Sequence, residues 1–119
     1  MPETTKSIAG TPFDLAGHVA YAEDAVVSKT VLKKETGTIT LFAFDAGQGL
    51  SEHTAPFEAT VVILDGRAEI TIGGNRHDVA AGQMLIMPAG VPHALHAAQR
   101  FKMMLVMIRE GMSVQSELP

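Results

Sequence analysis

Short apolar runs separated by turn residues extend through most of the chain, and helical periodicity is absent. Residues 60–64 are β-branched and aliphatic without interruption, and they are followed by Asp65-Gly66, a dipeptide that favours a tight turn between antiparallel strands. Residues 38–43 alternate polar and apolar as a half-buried strand does, whereas residues 101–108 are apolar enough for a strand buried on both faces. Further strands are predicted over 19–21, 25–32, 67–72, 76–80, 83–87 and 95–99. This pattern indicates an all-β sandwich or barrel.

Two stretches of the chain each place a histidine beside a short apolar strand. The first, residues 47–66, contains Gly47, His53 and Gly66 with five residues between Gly47 and His53. Its apolar strand starts shortly after the histidine, so a loop leads into a buried strand. The sequence therefore predicts that His53 lies just ahead of this buried strand.

The second stretch, residues 82–97, carries Gly82, Pro88, Gly90 and His93. Here a short apolar strand comes first, then a turn rich in proline and glycine, and then the histidine. The two stretches thus deliver one histidine each from two separate strands.

The two stretches resemble the two conserved motifs of the cupin superfamily in the spacing of their residues. The first motif of that family runs glycine, His, His, Glu, glycine, and the second runs glycine, proline, glycine, His, Asn; the glycines, the proline and one histidine of each motif match this chain. The resemblance implies a jelly-roll barrel, or double-stranded β-helix, of the small RmlC-like type. The length of 119 residues predicts a single domain over residues 1–119, and the polar residues 1–12 and 110–119 are expected to be loosely ordered.

The chain departs from the family at its metal ligands. Ala55 and Ala59 stand where the first motif has its second His and its Glu, and Ala97 stands where the second motif has Asn. By resemblance, His53 and His93 would share a divalent zinc, nickel, iron or manganese ion, but two of four ligands are missing. Weaker candidates to complete such a site are close in sequence: Gln48, Glu52, Glu58 and His96.

The predicted barrel lining is otherwise apolar. Strand alternation gives Ala55, Ala59, Val61 and Ile63 the same parity as His53, and one face of the late strand carries Phe101, Met103 and Met107. Two alanines in place of a His and a Glu remove charge and bulk together, which predicts a wider and drier mouth. We expect a ligand pocket formed by His53, His93 and these apolar side chains.

Composition limits the partners and the compartment. The net charge is −4, and no run of Lys or Arg is longer than Lys33-Lys34, so neither nucleic acid nor an anionic membrane is expected as a partner. Cysteine is absent, and residues 1–10 lack an apolar signal segment, which favours a cytoplasmic protein. The apolar strands around residues 19–32 predict a homodimer that pairs across a two-fold axis.

Three functions are consistent with these residues. The first is a barrel that binds a small molecule near His53 and His93, with a weakly held metal permitted. The second is a metal-dependent oxygenase or isomerase that uses a two-histidine site. The third is a metal-free acid-base enzyme similar to sugar epimerases, which would need a tyrosine or charged partner in the barrel; Tyr21 is the one tyrosine of the chain.

Overall fold

A computed structural model describes residues 8–109 of the chain. Within that range one short 3₁₀ helix precedes a series of β-strands, and no helix is long and apolar enough to cross a membrane. The helix covers Ala16–His18. The strands are β1 Val26–Lys34, β2 Gly37–Phe44, β3 Gly49–His53, β4 Ala59–Ile72, β5 Asn75–Ala80, β6 Met84–Met87, β7 His93–His96 and β8 Phe101–Ile108.

All strand pairs are antiparallel, and they join into one curled sheet whose two halves share β4. Half A has the order β1, β2, β8, β4, β6 and uses residues 59–66 of β4. Half B comprises residues 67–72 of β4 with β5 on one side and β7 then β3 on the other. A jelly-roll barrel results, as the sequence predicts.

Strand β4 carries the chain from one half to the other, and here the predicted tight turn at Asp65-Gly66 is wrong. The strand continues from Ala59 to Ile72, with a register shift against β8 between Ile63 and Asp65. Gly66 has a φ of 76°, a conformation that residues with a side chain rarely adopt. The dipeptide therefore bends a continuous strand, because tertiary pairing on both sides overrides its local turn preference.

The segment before β1 also differs from the prediction, because residues 19–21 form no strand. Val19 is instead buried against Leu41 and Ala43 of β2, so the segment lies across the outer face of half A. The apolar residues of this segment resemble a strand in sequence. In the structure their side chains are buried by packing on the sheet, and their backbone does not hydrogen-bond to it as a strand. Of the terminal segments predicted to be loosely ordered, residues 1–7 and 110–119 lie outside the described residues, and 8–12 have no regular secondary structure.

The core lies between the two halves and is centred on stacked aromatic rings. Phe44 and Phe101 are fully buried with ring centroids 4.5 Å apart, and Phe42 stacks on Phe44 at 5.8 Å. Half B contributes Ala68 and Ile70 to the same cluster. The prediction that β8 is buried on both faces is only partly correct. The face that carries Phe101 and Met103 is buried in the core, but the opposite face is half-buried and Ile108 at its end is 64% exposed.

Candidate functional site

Two histidines meet where β3 and β7 pair. His53 ends β3 and His93 begins β7, and the two are register partners in half B. Their ring centroids are 4.4 Å apart with an angle of 69° between the ring planes, an edge-to-face contact. The structure thus brings together the two histidines that the sequence motifs single out. Strand β7 begins at His93, two residues before the start that the sequence predicts.

The hydrogen bonds of the two rings fix which nitrogen carries the proton. Nδ1 of His53 lies 2.8 Å from the carbonyl oxygen of Ser51, and Nδ1 of His93 lies 3.2 Å from that of Val91. A carbonyl oxygen only accepts hydrogen bonds, so each Nδ1 must donate. In the neutral state this leaves Nε2 of each ring unprotonated and able to accept a hydrogen bond or bind a metal.

The two rings differ in exposure. His93 is 4% exposed and is the one buried polar residue among those that the structure describes, whereas His53 is exposed. A buried polar group needs a partner, and the bond from His93 to Val91 supplies it. His93 therefore forms the inner side of the pair, and His53 is the ring that a molecule from solvent can reach.

Backbone hydrogen bonds tie the loops around the pair to each other. The amide of Gly90 donates to the carbonyl of Ala55 at 2.8 Å, which joins the loop after β3 to the turn before β7. The amide of Gly73 donates to the carbonyl of Pro92, also at 2.8 Å, and so anchors the same turn to the β4–β5 hairpin. These bonds fix the ends of both histidine-bearing strands relative to one another.

The residues present do not provide a complete metal site. No group of three or more His, Asp or Glu side chains capable of holding a metal occurs within residues 8–109. Ala55 and Ala59 offer no donor atom, so His53 and His93 supply two nitrogen ligands, whereas three or four protein ligands are usual even in open zinc sites. A metal held here would depend on water or on ligand atoms for most of its coordination shell.

The weaker candidates do not complete the group either. Glu52, Glu58 and His96 are exposed, and Gln48 is half-buried with its backbone carbonyl accepting a hydrogen bond from the amide of Ala97 at 2.8 Å. His96 is on β7 opposite Glu69 of β4, on the strand face away from His93.

The predicted apolar lining divides into two layers. Val61, Ile63, Phe101 and Met103 are at most 1% exposed and belong to the packed core, and Ala59 is 3% exposed. Ala55 and Met107 are half-buried. Ala55, two residues after His53, therefore keeps exposed surface near the histidine pair, whereas Met107 lines a separate cavity with Val106 and Ile108 and the other five are buried in the core.

Two cavities lie away from the histidines, both beside Ile108 at the end of β8. One of about 550 Å³ is lined by Phe57, Glu58, Ile86 and Arg109 among others, and the second, of about 260 Å³, by Leu32, Lys34 and Ile39 among others. The guanidinium of Arg109 lies 5.4 Å from the ring centroid of Phe57. The sequence pattern gives no signal for Phe57 and Arg109, because only the folded chain brings residues so distant in sequence together.

Tyr21 lies on the other side of half A from the core that contains Phe44 and Phe101. Its ring packs with the Val19, Leu41 and Ala43 cluster, and its hydroxyl donates to Oδ2 of Asp65 at 2.5 Å. Burial and that hydrogen bond raise the pKa of Tyr21 above its ordinary value. The tyrosine thus fastens the segment before β1 to β4, and it is not placed to act with the histidine pair.

Comparison with known proteins identifies the family. A model of the cupin domain matches residues 40–109, a range that contains both histidine stretches. The chain belongs to the cupin family. This membership agrees with the curled antiparallel sheet and with the spacing of Gly47, His53, Gly82 and His93.

Solved cupin-like structures share the fold over most of the chain. A conserved protein of unknown function from Streptococcus pyogenes is 40% identical, with 87% of this chain and 90% of that chain covered and a TM-score of 0.82. A cupin superfamily protein from Desulfitobacterium hafniense is 29% identical, with 85% and 93% covered and a TM-score of 0.80. These structures establish the cupin double-stranded β-helix but give no function.

A curated relative is similarly uninformative about activity. An uncharacterized protein from Streptomyces coelicolor is 34% identical over 65 residues, which are 55% of this chain. The match spans 62% of that protein, so the chain corresponds to less than two thirds of its length. The function of this cupin has to be argued from its own residues.

Proposed function

We propose that this cupin binds a small molecule at the mouth formed by β3 and β7, with the histidine pair as its polar contact. The observation that carries the proposal is the hydrogen bonding of both rings. Because each Nδ1 donates to a backbone carbonyl, both Nε2 atoms are left as acceptors, one on the exposed ring of His53 and one on the buried ring of His93. Small-molecule sites typically combine apolar walls with a few fixed polar groups of this kind.

The chemistry of the site defines the class of ligand. Two neutral imidazole acceptors favour a molecule with hydroxyl or N–H donors, and the half-buried Ala55, two residues after His53, favours an apolar portion beside them. No carboxylate in residues 8–109 joins the pair, so a strongly cationic ligand is disfavoured. A small hydroxylated molecule with an apolar body, such as a phenol or a short hydroxy acid, fits these requirements.

Ligand-detected NMR with a panel of small phenols, alcohols and hydroxy acids tests the proposal. We expect a subset of the panel to bind the wild-type protein and to lose binding in His53→Ala. The matched control is His96→Ala, which removes an exposed histidine from the neighbouring strand β7 and should leave binding unchanged. Equal binding by wild type and His53→Ala, or equal loss in His96→Ala, would contradict the proposal.

A second candidate is a metal-dependent cupin enzyme, and one observation favours it. Metal-ligating histidines usually donate their other ring nitrogen to a carbonyl or carboxylate, as both rings do here. A metal enzyme is disfavoured because His53 and His93 supply only two ligands, whereas three or four protein ligands are usual. Elemental analysis of protein prepared without a polyhistidine tag separates the candidates: near one equivalent of metal that a His53→Ala, His93→Ala variant loses would favour the enzyme.

A further inference from the structure

The larger of the two cavities beside the end of β8 has the properties of a ligand site. Its volume is about 550 Å³, and ligand cavities are typically about 300–1,000 Å³. Its apolar walls include two exposed side chains of neighbouring strands, Ile86 at 54% and Ile108 at 64%. We call this cavity the Arg109 hollow, and it is lined by Phe57, Glu58, Ile86, Ile108 and Arg109 among others.

Arg109 is held in place by its neighbours, but its charge has no partner. Its backbone amide donates to the carbonyl of Thr36 at 2.7 Å, and Nη1 donates to the carbonyl of Glu35 at 3.4 Å. Its guanidinium lies 5.4 Å from the ring centroid of Phe57. Within the described part of the chain, no carboxylate forms an ion pair with this guanidinium. The remaining N–H donors are therefore available to a carboxylate from outside.

The hollow also contains an acidic side chain without a partner. Glu58 is exposed, and its carboxylate forms no ion pair with any residue that the structure describes, Arg109 included. Glu58 directly follows Phe57 in the chain, so an anion and a cation both adjoin the same aromatic ring. Each of the two charges can thus bind a group of opposite sign on a third molecule.

We infer that the Arg109 hollow binds a free amino acid with a large apolar side chain. The carboxylate of the amino acid accepts hydrogen bonds from the guanidinium of Arg109, whose planar N–H groups match carboxylate geometry. The ammonium group of the amino acid donates to the carboxylate of Glu58. Its side chain packs on the ring of Phe57 and on the two exposed isoleucines of the hollow.

The two charges disfavour simpler ligands. A phosphate or a dicarboxylate would bring additional negative charge toward Glu58, and an amine without a carboxylate would be repelled by Arg109. A purely apolar molecule would desolvate both charged groups without offering either a partner. A zwitterion satisfies both groups at once, and its apolar side chain removes the isoleucines from water.

This site is separate from the histidine pair and does not depend on the function proposed for it. Neither His53 nor His93 lines the Arg109 hollow. The positively charged contact comes from the end of β8, which does not pair with β3 or β7. The two sites can therefore be occupied independently, and they select different ligand classes.

Calorimetric titration with phenylalanine, tyrosine, leucine and isoleucine at millimolar concentration tests the inference. We expect at least one of them to bind the wild type. Arg109→Gln and Glu58→Gln should each weaken that binding about 10-fold or more, because each removes a charge-assisted hydrogen bond. Arg76→Gln and Glu23→Gln are the matched controls, since they remove the same charges at exposed positions outside the hollow, and they should bind as the wild type does.

Truncated ligands assign each contact to its residue. For phenylalanine, hydrocinnamate lacks the ammonium group and phenethylamine lacks the carboxylate. Hydrocinnamate should bind Glu58→Gln no more weakly than it binds the wild type, and phenethylamine should bind Arg109→Gln no more weakly than it binds the wild type. The deamino and decarboxy analogues of another amino acid serve in the same way if that amino acid binds best.

The His53→Ala variant separates this site from the histidine pair. It should bind the amino acid as the wild type does, even though it is expected to lose the phenols and hydroxy acids of the other panel. Failure of all four amino acids to bind, equal losses in the control variants, or loss of amino-acid binding in His53→Ala would each overturn the inference.

Discussion

Replacing Gly66 by alanine tests how β4 crosses between the two halves. Gly66 has a φ of 76°, and a Cβ built on it would clash with the carbonyl oxygen of Arg100 and lie 3.1 Å from Cα and Cβ of Phe101. Gly66→Ala therefore carries two separate free-energy costs, one for the backbone conformation and one for packing. A positive φ costs a residue with a side chain about 1–2 kcal/mol, and forcing a methyl group into a packed site costs about 1–3 kcal/mol more.

The chain offers a control that carries only the first of these terms. Gly74, in the β4–β5 hairpin, has a φ of 86°, and no atom lies within 4 Å of the position that a Cβ would occupy there, so Gly74→Ala carries the conformational cost alone. Both variants gain about 0.4–1 kcal/mol from a less flexible unfolded chain. We thus expect Gly74→Ala to lose about 1 kcal/mol of unfolding free energy and Gly66→Ala about 3 kcal/mol.

Urea denaturation, followed by circular dichroism at one fixed protein concentration, measures both values. Equal losses in Gly66→Ala and Gly74→Ala would show that Gly66 is not held against Arg100 and Phe101. That result would refute the continuous path of β4 and restore the tight turn that the sequence alone predicts.

Three further predictions concern the core, the site and the segment before β1. Phe101→Ala should cost about 3–5 kcal/mol in urea denaturation, because its fully buried ring stacks on Phe44, and a loss below about 1 kcal/mol would contradict that packing. His93→Ala should cost about 1–3 kcal/mol and His53→Ala less than about 0.5 kcal/mol in the same assay, since only His93 is buried. The reverse order would contradict the assignment of His93 as the inner and His53 as the outer ring. The raised pKa of Tyr21 means that its hydroxyl proton is bound more tightly in the folded state than in the unfolded state. The contribution of this hydroxyl to the free energy of unfolding is therefore complete below about pH 10 and declines as the pH rises further. Tyr21→Phe should lack that alkaline decline, and an unchanged profile would show that the bond to Asp65 does not stabilise the fold.

Much of the fold could be predicted from local pattern, because alternation and turn residues determine where most strands lie. The β4–β5 hairpin agrees with its Gly-Gly-Asn turn, since Ile72 pairs with Asn75. The errors occur where tertiary contacts decide. Asp65-Gly66 bends a strand instead of ending it, and the apolar residues around Val19 pack on a sheet instead of joining it.

The site could be predicted only in part for the same reason. The spacing of the two motifs was enough to predict that His53 and His93 lie together, because in this fold the strands that carry them pair with each other. Spacing could not show that Val61, Ile63, Phe101 and Met103 are fully buried, or that Ile86, Ile108 and Arg109 surround a separate hollow. Those properties depend on how the two halves close on each other.

The protonation of the two rings is the most direct test of the proposed site. Long-range ¹H–¹⁵N correlation spectra of histidine-labelled protein, recorded near pH 8 where imidazole is neutral, distinguish the two tautomers. We predict that His53 and His93 both carry the proton on Nδ1 and leave Nε2 free, as their bonds to Ser51 and Val91 require. A proton on Nε2 of either ring would remove an acceptor from the site and contradict the account.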